Sequence, residues 1–290
     1  MAWQPGIITT DVPALPAKGL ADRLRAFVNQ PWTYRRRYLQ SVYRTAFDGY
    51  SFQGQADSLN QGPEDALHSF VLSDFSPRSA FPAEFQPFLR DGWPALTQAV
   101  REIERGLLVQ LGVEGLLEPY DASYGHMMSA NYYPSGIAAQ PKGGVRLTEH
   151  PDVSLLTLFP FGVESGLEYQ DAEGAWRAVV PCDRVVGFAG ELLEWLTAGR
   201  IQALNHRVAN GSGQRVGKPF DERFSFSLFS LPRPGTRIAR EAVGAPSRAG
   251  PAMPKQQPSH LGAVAERCAP ASPEAISVEA YIEAHLSRWL

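Results

Sequence analysis

A chain of 290 residues, 44% hydrophobic and 20% charged, holds enough apolar material for one large core, and we expect a single domain over residues 1–290. A formal net charge of −3 lacks the concentrated basic face that phosphate neutralisation needs, and Arg35-Arg36-Arg37 is too short a cluster to supply one, which argues against a nucleic acid partner. Two cysteines, Cys182 and Cys268, cannot staple a secreted scaffold, no apolar run reaches membrane-spanning length, and the first residues lack a signal-peptide pattern; the expectation is a cytoplasmic monomer that touches no membrane.

Residues 1–120 read as mostly helical. Leu96, Val100, Ile103, Leu107, Leu108 and Leu111 recur at spacings of three and four, which marks an amphipathic helix running out at Gly112. From Met127 onward the pattern changes to short alternating runs broken by glycine and proline. They cover 127–133, 145–150, 153–159, 166–170, 176–180, 185–189, 204–208 and 223–229, and 171–174 supplies a tight turn between two of them. Eight such runs suit a double-sheet jelly roll, so the fold class is mainly β with flanking helices, an α+β chain whose double-stranded β-helix core occupies 125–232. Residues 233–272, rich in proline and alanine, read as a flexible segment, and 273–290 as a final amphipathic helix offering Ile276, Tyr281, Ile282 and Leu286 to the body.

The most informative residues are His150-Pro151-Asp152, followed by His206 and then by Arg223-Phe224-Ser225. Two imidazoles and one carboxylate on one face of a ferrous ion leave adjacent positions for a chelating co-substrate and for dioxygen. Arg223 with Ser225, two residues on along one strand face, makes a clamp for an acidic group, because a planar guanidinium pairs with a carboxylate through two hydrogen bonds. Strand parity extends the site. If His150 faces the metal, Arg146 and Thr148 share its face, and Arg146 becomes a candidate for holding a substrate anion; Met127, Ser129, Asn131 and Tyr133 share another face. Singly, each has an ordinary reading: His206 as a structural histidine, Arg223 as an ion-pair arginine. The aromatics Tyr38, Tyr43, Phe47 and Tyr50 read first as helix packing and second as substrate contacts.

The order and spacing of these pieces resemble the isopenicillin N synthase-like family of ferrous iron and 2-oxoglutarate-dependent oxygenases. The resemblance is carried by Asn131-Tyr132-Tyr133-Pro134, the run His150 to Thr157, Gly166-Leu167-Glu168, the run Phe188 to Arg200, His206-Arg207-Val208 and Glu222-Arg223-Phe224-Ser225. It implies Fe(II) held by His150, Asp152 and His206, 2-oxoglutarate held by Arg223 and Ser225 and oriented by Asn131 and Tyr133, and O2 as oxidant. Succinate and CO2 would leave, and a small metabolite, expected in secondary or antibiotic-like metabolism, would be hydroxylated, desaturated or cyclised. Related halogenases have a small residue where this chain has Asp152, so halogenation is not expected. Two alternatives remain: a 2-oxoglutarate-independent iron oxidase of the isopenicillin N synthase type, and a catalytically silent barrel acting as a binding module.

Overall fold

The computed structural model describes residues 6–43, 45, 47–52, 67–135, 145–209, 222–239, 275–278 and 280–282. In chain order these form β1 (Ile8–Pro13), α1 (Leu20–Val28), α2 (Trp32–Arg35), β2 (Gly49–Phe52), β3 (His68–Ser73), α3 (Gln86–Asp91), α4 (Trp93–Gln110) and α5 (Leu117–Ser123). The central part follows with β4 (Tyr124–Tyr133), β5 (Val145–His150), β6 (Leu156–Phe159), β7 (Leu167–Gln170), β8 (Trp176–Ala178), β9 (Arg184–Ala189), α6 (Glu191–Leu196), β10 (His206–Ala209) and β11 (Arg223–Pro232). Strands β12 (Arg237–Ala239) and β13 (Ala275–Ser277) pair with each other at the end of the chain.

A seven-stranded antiparallel sheet in the order β1-β9-β6-β11-β4-β3-β2 faces a four-stranded antiparallel sheet in the order β5-β10-β7-β8. Side chains from both sheets line one cavity between them, as in a double-stranded β-helix. Each of the eight expected runs contains a strand. The turn at 171–174 is closed by Gly174 N–H donating to Asp171 O at 2.9 Å, with Asp171 Oδ1 accepting from two further backbone amides.

Alternation along β4 and β11 divides the large sheet into a cavity face and a helix-packed face. Met128, Ala130, Phe224, Phe226 and Leu228 turn outward into a core shared with the helices, while Met127, Ser129, Asn131, Tyr133, Ser225 and Ser227 turn into the cavity. The outer core is closed by α4, which buries Trp93, Leu96, Val100, Leu107 and Leu108. Each such side chain contributes roughly 1.5–3 kcal/mol by leaving water. The helix stops where periodicity expects. Gly112, at φ +66°, takes the left-handed position, and Gly112 N–H and Val113 N–H donate to Val109 O and Leu108 O.

Three features of the ends differ from expectation. Strands β1, β2 and β3 lie within residues 1–120 among the helices, where β1 pairs onto β9 and β2 and β3 extend the sheet from β4. Residues 237–239, inside the segment expected to be flexible, and 275–277, inside the expected terminal helix, are paired strands, and helix begins only at Val278. Tyr281 and Val278 are buried as expected of a docking segment, and Tyr281 Oη donates to Val153 O at 2.5 Å. Residues 210–221 and 240–274 and Leu286 lie outside the described residues. Among the described residues no helix is long and apolar enough to cross a membrane.

Candidate metal and co-substrate site

His150 ends β5, His206 begins β10, and antiparallel pairing sets them directly opposite each other. Their rings stand 4.4 Å apart between centroids, and Phe188 packs against the His206 ring at 4.8 Å. Asp152 follows two residues after His150, and its Oδ1 lies 3.6 Å from His150 Nε2 and 3.8 Å from His206 Nε2. These three residues form the one cluster with metal-ligand geometry among the described residues, with ligand atoms within 4.8 Å of one another.

Hydrogen bonds fix how each donor presents itself. His150 Nδ1 lies 2.7 Å from Thr148 O and His206 Nδ1 lies 3.2 Å from Leu204 O. A carbonyl only accepts, so both Nδ1 atoms carry the proton and both Nε2 lone pairs point towards Asp152 Oδ1. Burial also holds the His206 imidazole in its neutral form, lowering its pKa to about 4. A divalent cation at the point of convergence would meet one nitrogen from each imidazole and one carboxylate oxygen. The residues therefore fit a ferrous ion, with the backbone carbonyls and Thr157 as the outer groups that orient its ligands.

Asp152 is clamped from several directions. Thr157 Oγ1 donates to Asp152 Oδ2 at 2.7 Å, leaving Oδ1 for the centre, and Ser154 Oγ sits 2.8 Å from the same hydroxyl. Glu191 N–H donates to Asp152 O at 2.7 Å and Leu192 N–H to Ser154 O at 3.2 Å, so the start of α6 holds the loop. Gly190 permits that approach, since a Cβ there would stand 2.1 Å from Ser154 O. Thr157 lies within the motif but had no role assigned from sequence; its signal was only its position five residues after the carboxylate.

The cavity, about 110 Å³, runs from the triad along the inner face of the large sheet. Met127, Ser129, Asn131, Tyr133 and Ser225 line it together with His150, Asp152 and His206. Arg223 pairs with Tyr133 across β11 and β4, and its guanidinium lies 5.0 Å from the Tyr133 ring centroid. Nε donates to Ser165 O at 3.0 Å, while Nη1 is buried without a hydrogen-bond partner among the described residues. Arg223, like Arg146, is not among the residues lining the cavity, although Tyr133 and Ser225 next to it are; a buried guanidinium with a donor unused among the described residues, two positions before Ser225, fits a carboxylate.

Arg146 and Thr148 fall outside the cavity lining, contrary to the parity expectation. The register between β5 and β10 shifts, pairing His206 with His150 but Val208 with Leu147, so that an extra residue in β5 turns Leu147 inward instead. Arg146 is buried 4.9 Å from the Tyr133 ring centroid and donates to Pro134 O at 3.2 Å. Burial lowers its pKa, with the Arg223 charge acting in the same direction. Of the four aromatics considered from sequence, Phe47 lines the cavity; Tyr50 is buried in the outer core beside His68 and Arg35.

Residues 124–232 match the family described as the 2OG-Fe(II) oxygenase superfamily. A curated relative, the 2-oxoglutarate-dependent dioxygenase gloF of Glarea lozoyensis, is 29% identical over 142 residues. That match covers 47% of this chain and 42% of the relative, so the chain spans less than half of that protein's length. Among solved structures, a full-length Neurospora crassa protein in complex with alpha-KG and 5-formyluracil superposes with a TM-score of 0.69 at 19% identity, covering 97% of this chain and 85% of that one. A putative 2OG-Fe(II) oxygenase family protein from Caulobacter crescentus gives a TM-score of 0.64 at 19% identity, covering 98% and 89%. At these identities the structural likeness establishes the shared fold.

Proposed function

With residues 124–232 assigned to the 2OG-Fe(II) oxygenase superfamily, we propose that the whole chain is one oxygenase unit that oxidises a small metabolite at the expense of 2-oxoglutarate and O2. His150, Asp152 and His206 hold the iron. Arg223 and Ser225 hold the far carboxylate of 2-oxoglutarate, and Asn131 and Tyr133 orient it. When bound, iron and 2-oxoglutarate together supply the oxidising power, with succinate and CO2 as by-products. The chain's own contribution is placement: the strand pairing of His150 with His206 sets the two imidazoles, the Thr157 hydroxyl turns Asp152, and the apolar walls exclude water. Retention of Asp152 as the third ligand supports hydroxylation, desaturation or ring closure. The motif order supports an isopenicillin N synthase-like chemistry in secondary metabolism, and the scarcity of cysteine supports a reducing cytoplasmic setting.

The observation that carries this reading is the convergence of two Nε2 lone pairs on Asp152 Oδ1, each imidazole held in that tautomer by a backbone carbonyl. The test is dioxygen uptake and succinate formation by the full chain with Fe(II), with and without 2-oxoglutarate. Succinate that requires both is expected. Dioxygen consumed with no succinate would replace this reading by the 2-oxoglutarate-independent oxidase, and no consumption at all by the silent barrel.

A further inference from the structure

The cavity wall changes character along its length. Rungs of β4 and β11 run from Tyr133 opposite Arg223, through Asn131 opposite Ser225 and Ser129 opposite Ser227, to Met127 opposite Phe229. β3 extends three of these rungs, with Ser69 beside Asn131, Val71 beside Ser129 and Ser73 beside Met127. Arg223 stands on the first rung but is not among the residues lining the cavity, the β4 and β11 residues of the next two rungs present neutral polar groups, and the last joins an apolar end made by Phe47, Val71, Met127, Phe229 and Leu231. Among the described residues, every charged side chain lining the cavity belongs to the metal triad.

The middle rungs carry hydrogen-bonding capacity that the protein leaves partly unused. Ser129 Oγ donates to Asn131 Oδ1 at 2.9 Å, which obliges Ser69 to donate to Ser129 across their 3.0 Å contact. That arrangement leaves the Asn131 amide N–H groups available. The Ser227 hydroxyl, buried and lining the cavity, makes no hydrogen bond among the described residues. Arg223, the cation beyond one end, is taken by the co-substrate in the reading above, and the apolar end lies six to eight residues further along β11.

We infer that the substrate is an electrically neutral molecule with an apolar body seated among Phe47, Val71, Met127 and Leu231 and one hydrogen-bonding edge read by Ser227. The inference rests on the oxygenase reading, because the co-substrate claims the cationic end. A carboxylate or ammonium in the remaining space meets no counter-charge among the described residues, and an unpaired buried charge is rejected far more strongly than a lost hydrogen bond. Arg146, the sequence candidate for holding a substrate anion, does not line this cavity and takes no part in the inference.

Calorimetry on the full chain loaded with Mn(II) and 2-oxoglutarate tests it. The probes are matched triplets of amide, carboxylate and amine on phenylacetyl, indole-3-acetyl and hexanoyl skeletons. The expected result is that an amide binds in at least one series, about 100-fold or more tighter than its charged partners. Ser227→Ala should then weaken the amide roughly 2- to 10-fold. Charged members matching the amide in the series that bind, or no member binding to loaded protein, would overturn the inference. Loading is read in the same instrument before any probe is added: failure to take up Mn(II) and 2-oxoglutarate sinks the oxygenase reading itself, whereas normal loading with the wrong probe preference sinks only the substrate class.

Discussion

Replacing Thr157 by valine removes one hydroxyl from a fully buried site while keeping the branched shape, and the structure says what that hydroxyl does. It donates to Asp152 Oδ2 at 2.7 Å and so leaves Oδ1 facing the two Nε2 atoms. A hydrogen bond to a charged group is worth about 1.5–3 kcal/mol, and losing it frees the carboxylate to rotate away from the centre. At about 1.4 kcal/mol per decade this corresponds to roughly 10- to 100-fold weaker metal binding, the range found when groups that orient metal ligands are removed. Anaerobic calorimetric titration with Mn(II) measures it directly. Thr157→Ser, which keeps the donor, should stay within about threefold of wild type, and a urea midpoint of the metal-free proteins separates loss of affinity from loss of fold. Equal Mn(II) affinity in wild type and Thr157→Val would refute the argument that this hydroxyl aims Asp152.

Arg223→Ala should raise the 2-oxoglutarate concentration required for half-maximal dioxygen uptake by an amount corresponding to about 2–5 kcal/mol, since it truncates one side of a desolvated charge pair; an unchanged requirement would contradict the clamp. Gly190→Ala would place a Cβ 2.1 Å from Ser154 O, so it should lower the urea-unfolding free energy by about 1–3 kcal/mol and weaken Mn(II) binding through the Asp152 loop; an unaltered protein would contradict the close approach. The metal-free protein should lose stability as pH falls from 6.5 towards 4. Burial lowers His206 and His68 from 6.5 to about 4 in the fold, so over that window the unfolded chain takes up protons that the folded protein refuses. Each contributes on the order of 3 kcal/mol at the acid end and nothing above 6.5, and a thermal midpoint flat between pH 4 and 6.5 would contradict it.

Much of the barrel could be read from the chain because its strands alternate between a helix-packed face and a cavity face. Met127, Ser129, Asn131 and Tyr133 share the cavity side as parity demands, with Phe224, Phe226 and Leu228 on the other. The same rule misplaced Arg146 and Thr148. Parity survives only while the register is unbroken, and the shift opposite Val208 depends on the pairing partner, which no local pattern in β5 records. Strands β1 to β3, comparable in length to β5 to β10, were not expected because they lie in a region whose stronger pattern is helical, and it is attachment to β9 and β4 that makes them strands. The apolar end of the cavity needed Phe47, some eighty residues from Met127, and tertiary packing alone joins them.

The most direct measurement is an anaerobic titration of Fe(II) into the full chain with 2-oxoglutarate, followed by visible absorption, set beside the same titration of His206→Ala. One ion per chain and the weak charge-transfer band of the chelate are predicted for the wild type, with the band lost in the variant while its circular dichroism stays native-like. A band of equal strength in the two proteins, or none in the folded wild type, would contradict the assignment of the triad.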